Sequence, residues 1–410
     1  MGLFDKKRIF LDYASITPVA PEVSNEMLKI EKVVFANPSA IYTEALAAKD
    51  IVDKSRQKIA DLIHAQKSEI IFTSGGTEGN NLAMLGVFEF YKKENFRPHI
   101  ITTNIEHPAI LEVCKEIERR GGEVTYLSVS PEGLVNPKNV REALKENTLL
   151  VTVAYANNEI GTIQPIKEIS RIIKDYRLKN KTDLPYFHTD ACQAALYLSL
   201  DVLKLGVDIL TIDGIKVYGP KGCGILYLRH GVDIMPIIFG GGQERGLRSG
   251  TENVPAIAGL AKAMEIADST REKESARLSL IRDYAIENIL KTFPKAILNG
   301  SREYRLPNNI NFCFPASSAG RPSLDAEFAV ISLDVAGISA SYSSSCRSLK
   351  PARHSLRHQA LAGGEDSFSY VVSALDRKNC SNSSLRFTLG RGSQKKDIDT
   401  LVIALKNIVI

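Results

Sequence analysis

From Glu69 to Leu198 the chain alternates short apolar runs with amphipathic stretches. EIIFTS precedes TEGNNLAMLGVFEFYKK, HIITT precedes PAILEVCKEIERR, and EVTYLSV precedes NPKNVREALKE. LLVTVAYA then leads into PIKEISRIIKDYR, and LPYFHTD into ACQAAL. A strand-helix series of this kind predicts a mostly parallel sheet covered by helices. Such sheets bind ligands in the crevice at the carboxyl ends of their strands. Two further apolar runs, Val207 to Ile212 and Ile225 to Leu228, read as additional buried strands around a glycine-rich turn.

The flanks differ. FLDYASITPVAP, with two prolines, reads as an extended arm, and Thr43 to Ile63 carries apolar residues at helical spacing. After GGGQERGLRSGTENVP the alternation stops. Pro255 to about Leu290 reads as a long helical stretch with a break near Asp268-Ser269-Thr270. NNINFCF and SSLRFTLG read as strands, and LDAEFAVISLDV and KDIDTLVIALKNIVI as helices. The expectation is an α/β chain with a large sheet domain over 15–255. A smaller α+β domain would combine 1–14, the arm packed on it, with 256–410.

Composition narrows the function classes. A hydrophobic content of 44% with 24% charged residues describes a globular protein, and a net charge of +5 is too mild to point to nucleic acid. No apolar run approaches membrane-spanning length and MGLFDKKRIF lacks the core of a signal peptide, so no membrane contact and a cytoplasmic setting are expected. The six cysteines form no CxxC pair, and most are expected to be buried thiols.

Several residues carry possible chemistry. Lys216 sits in the glycine-rich turn between Ile215 and Val217. An ammonium among apolar neighbours has a costly charged form, which makes the amine a candidate nucleophile for carbonyls or for pyridoxal phosphate. Ser74-Gly75-Gly76-Thr77 lies between a strand and a helix, where backbone N–H groups favour an anion. His107 ends a strand ahead of Pro108, placed either to stack on a planar group or to cap the next helix. Asp190 ends another strand, and can pair with a buried cation or cap a helix. Cys346 stands among Arg347, Lys350, Arg353 and Arg357 with no acid before Glu365, a setting that favours a thiolate on an exposed loop. Arg386 is a lone guanidinium in a strand, suited to a carboxylate or to a structural ion pair.

Taken together, LDYASITP, FTSGGTEGNNLA, EHPA, VAYANNEIGTIQP, HTDACQA, KVYGPKGCGILYL, GGGQERGLRSGT, SSSCRS and SSLRFTLGR resemble the cysteine desulfurases of the aminotransferase class V family. The nearest group is the one serving iron–sulfur cluster assembly. The resemblance implies the fold of PLP-dependent transferases and a homodimer that converts L-cysteine to L-alanine. Lys216 would carry pyridoxal 5'-phosphate (PLP), Asp190 would pair with the pyridinium, Gln193 with the ring oxygen, and His107 would stack on the ring. Gly76 and Thr77 would hold the phosphate, reached also by Thr251 from the other subunit. Asn158 would contact cofactor or substrate, Arg386 would take the substrate carboxylate, and Cys346 would receive the sulfur as a persulfide. A sulfur-acceptor protein such as an iron–sulfur scaffold would then take it. Other readings are a PLP enzyme for another amino acid such as selenocysteine, or a non-catalytic binding partner.

Two departures stand out against the resemblance. Asp213 and Ile215 occupy cofactor-contact positions where the family usually has Ser and His, both phosphate donors. The loop after Cys346 is longer and more basic than usual, with Arg347 where a small hydroxyl residue is common.

Overall fold

The computed structural model describes residues 8–316, 323–342, 369–377 and 380–409. Its centre is a seven-stranded sheet built from β2 (Ile70–Thr73), β3 (His99–Thr103), β4 (Glu123–Leu127), β5 (Thr148–Thr152), β6 (Tyr186–Asp190), β7 (Ile209–Asp213) and β8 (Gly224–Leu228). The order across the sheet is β2-β8-β7-β6-β5-β3-β4, and β8 alone runs antiparallel to its neighbours. Residues of β2, β3, β5, β6 and β8 are buried throughout, as near-continuous apolar runs require when helices cover both faces. The carboxyl ends of β6 and β7 and the amino end of the helix after β2 meet at one edge. That edge carries the site.

The extended arm does what its prolines suggest. Ile9–Phe10 (β1) pairs in parallel with Ile338–Ser339 (β11), and Thr388 accepts the N–H of Tyr13 at its carbonyl and that of Ala14 at its hydroxyl. A three-stranded sheet joins β12 (Ser384–Thr388), β10 (Asn309–Cys313) and β9 (Ile297–Leu298). The helix α2 spans Thr43–Ile63, as its spacing predicts.

Two expectations fail. The long helix α8 (Val254–Thr292) has no break at Asp268-Ser269-Thr270. The hydroxyls of Ser269 and Thr270 both donate to the carbonyl of Ile266, and Asp268 pairs with Arg271, so these side chains are satisfied within the helix. ACQAAL is not a helix: its backbone closes isolated turns onto Ala191 and Ala194. Two of the cysteines are not thiols, which the expectation of mostly buried thiols allows. Cys313, at the end of β10, and Cys380 are disulfide-bonded with a Cα–Cα distance of 5.3 Å across 67 residues, a pairing that no local spacing could reveal. Cys114, Cys192 and Cys223 remain free. No helix among the described residues is long and apolar enough to cross a membrane.

Candidate active site

One pocket at the strand-end edge is lined by Gly76, Thr77, His107, Asn158, Asp190, Gln193, Asp213, Ile215, Lys216 and Arg386. These residues come from segments as far apart as the turn after β2 and β12, so only the tertiary fold brings them together. Lys216 ends the 3-10 turn after β7, and its amine donates to the carbonyls of Ala14 (2.8 Å) and Ser15. The arm therefore holds the amine with oxygen, where the flanking Ile215 and Val217 suggested apolar neighbours.

Asp190 closes β6 and is 9% exposed. Its carboxylate accepts from Asn80 Nδ2 at 2.7 Å and from the N–H of Cys192 at 2.9 Å. It does not cap a helix, since none follows. His107 does cap one, α4 (Pro108–Arg119): its Nδ1 accepts the N–H of Ala109 at 3.1 Å while the ring lines the pocket. Gln193 donates through Nε2 to Ala14 at 2.9 Å. Arg386 is 1% exposed and already held by Asp12 (2.7 Å), the hydroxyl of Ser15 (2.9 Å) and the carbonyl of Asn158 (3.0 Å). Both the structural ion pair and the pocket position are thus real. Among the described residues its buried Nε has no acceptor and the buried Asn80 Oδ1 has no donor.

The other end of the pocket is built differently. The helix α3 (Gly76–Tyr91) begins there, and Asp213 accepts the N–H of Gly76 at 3.0 Å and that of Ile215 at 3.2 Å. Gly75 has φ +148°, and a Cβ there would lie 3.3 Å from the Asp213 carboxylate, so the close approach of the two turns depends on glycine. Burial pushes the Asp213 carboxyl up, offset by those two N–H bonds and by Lys216, with Asp190 adding to the rise.

Thr251 is exposed and is not among the pocket-lining residues. Its segment is fastened to the large sheet by Glu244, which accepts from both arms of Arg56 and from the N–H of Phe72, and by Arg248 on Glu78 at 2.9 Å. Cys346 and its basic neighbours lie outside the described residues. Their flanks are described: Ser341 pairs with Arg386 backbone to backbone, Ser369 donates to Glu159 at 2.6 Å, and Tyr370 donates to the carbonyl of Glu106 at 2.6 Å.

Sequence reasoning missed the support of the site. Glu106 is buried and accepts from the hydroxyl of Thr103 (2.7 Å) and the N–H of Ala154, bracing the strand end that carries His107. Burial raises its carboxyl to about 7, against the lowering effect of those bonds. Asp12 and Asn80 carry no local signal either, because their partners lie more than a hundred residues away.

An aminotransferase class-V sequence profile matches residues 9–401. The chain belongs to the aminotransferase class-V family. Members similar to it include the cysteine desulfurase IscS of Dictyoglomus turgidum, 41% identical over 98% of this chain and 95% of its own. The IscS of Methanosarcina thermophila is 40% identical over 99% and 93%. Among solved structures, a NifS-like protein matches at 31% identity with a TM-score of 0.85, covering 98% of this chain and 99% of its own. The family is one of PLP enzymes. The residues present fit that group along its ring, where a primary amine, a deep carboxylate and an imidazole converge. At the phosphate end a helix N-terminus and Thr77 are in place, with one carboxyl group seated on the leading N–H.

Proposed function

We propose that this chain is a PLP-dependent cysteine desulfurase that converts L-cysteine to L-alanine and passes the sulfur, held as a persulfide on Cys346, to an acceptor protein such as an iron–sulfur scaffold. The observation that carries the reading is the convergence of Lys216, Asp190, His107, Gln193 and Arg386 on one pocket. When bound, PLP supplies a sink for the electrons released at the substrate Cα.

The side chains divide the remaining work. Lys216 holds the cofactor and, once freed, takes the Cα proton. Asp190, fixed by Asn80 and the Cys192 N–H, keeps a proton on the ring nitrogen. His107, with Nδ1 committed to Ala109, covers the ring. Arg386 takes the substrate carboxylate, and its bond to Asp12 fixes the fork. The Cys346 thiolate attacks the substrate sulfur, so that the S–S bond forms as the C–S bond breaks; the C–S electron pair stays with the three-carbon fragment, which is protonated to alanine. Ser341, ahead of the segment that carries Cys346, is tied to the strand of Arg386. The active unit is a homodimer in which Thr251 reaches the partner's phosphate site, and the chain divides at about residue 255 into a large and a small domain.

Cys346→Ser should keep the visible band of the PLP-loaded protein and lose both alanine and sulfide release from L-cysteine. Unchanged alanine release would remove Cys346 from the mechanism.

A further inference from the structure

The phosphate end of the pocket contains its own anion. Asp213 sits where an incoming phosphate would meet the helix, with its carboxylate on the N–H of Gly76 at 3.0 Å and on that of Ile215 at 3.2 Å. Helix N-termini attract phosphate through those same groups. A carboxylate left beside a phosphate repels it, whereas a carboxylic acid donates a hydrogen bond to it. Ile215 offers no side-chain donor to compensate.

We propose that PLP binds this pocket together with a proton taken up by Asp213, whose carboxyl group then turns from occupying the anion site to donating into it. The proposal rests on the PLP reading above. The surroundings favour the neutral acid. Asp190 faces Asp213 from β6, and the thiols of Cys192 and Cys223 interact with it from the adjoining turns. Lys216 is the opposing cation on its own turn, and Glu78 on α3 is neutralised by Arg248. Burial and the neighbouring Asp190 push the Asp213 carboxyl up, so a dianion arriving at Gly76 meets an acid already inclined to hold its proton.

The consequence is a cofactor whose grip loosens as the medium becomes alkaline. Above the carboxyl's own titration the affinity should fall about tenfold per pH unit, because each binding event must draw a proton from solution. Pyridoxamine 5'-phosphate and pyridoxamine separate this effect from covalent attachment, since neither condenses with Lys216. Calorimetric titration of the full-length apo-protein near pH 8, in two buffers of different ionisation enthalpy, counts protons taken up. The wild type should take up about one proton more than Asp213→Asn with pyridoxamine 5'-phosphate, and the two should agree with pyridoxamine. Asp213→Ser serves as the second variant should the first fail to fold. Equal proton uptake by wild type and variant with the phosphorylated ligand would overturn the proposal while leaving the PLP site intact. Failure of pyridoxamine 5'-phosphate to bind any of the proteins would overturn both.

Discussion

The two ends of one pocket solve opposite electrostatic problems. On the cofactor reading proposed above, the Asp190 carboxyl group would meet a cation, with Asn80 and the Cys192 N–H fixing its oxygens. The Asp213 carboxyl group would meet an anion, and it holds two N–H groups that a phosphate would use. The same residue type would thus support the ligand at one end and, while ionised, compete with it at the other. What separates them is whether the ligand group brought to each carries positive or negative charge. Replacing one carboxyl group at each end should therefore change ligand binding in opposite directions.

The largest effect is expected at the ring end. In Asp190→Asn the amide oxygen can still accept from Asn80 or Cys192, so folding should survive. The ring nitrogen loses its anionic partner, and turnover of L-cysteine should drop on the order of 10²–10³-fold, as for removal of one preorganised electrostatic group. Steady-state alanine release measures it. A variant within about threefold of wild type would show that Asp190 is not the partner of the ring nitrogen.

A smaller effect sharpens the comparison with a third carboxyl group, one that meets no ligand. Glu106 braces the strand end bearing His107 from below and is raised to about 7 by burial. Because its folded pKa lies above the unfolded value, the folded state keeps a proton that the unfolded chain has released. Glu106 therefore weakens the fold as pH rises from about 4.5 to about 7. Unfolding free energies of wild type and Glu106→Gln from urea titrations, compared at pH 5 and pH 8, should diverge by about 1–3 kcal/mol against the wild type at the higher pH. Parallel changes in the two proteins would show that the carboxyl does not titrate in that window.

The sheet was legible because each strand announces itself locally, as an apolar run followed by a helical one. The pocket was partly legible for the same reason: Lys216, His107 and Asp190 all stand at the ends of such runs. Long-range support left no such trace. Arg386 could be read as a carboxylate clamp or an ion pair, and only the folded arm shows the ion pair, with Asp12. The break expected in α8 rested on helix propensity at Asp268-Ser269-Thr270, which the side chains' own bonds to the helix offset. ACQAAL has helical residues, but its backbone bonds close separate turns onto Ala191 and Ala194 and form no continuous ladder. The disulfide pairs positions that the chain brings together only through β10 and the turn before β12.

The pocket's identity turns on one amine. Loading the full-length protein with PLP, reducing it with borohydride and mapping its peptides by mass spectrometry locates the lysine that carries the cofactor. A single phosphopyridoxyl group is expected on the peptide containing Lys216, and none on the same peptide in Lys216→Ala. A modification found mainly on another lysine, or no modification despite bound PLP, would contradict that assignment.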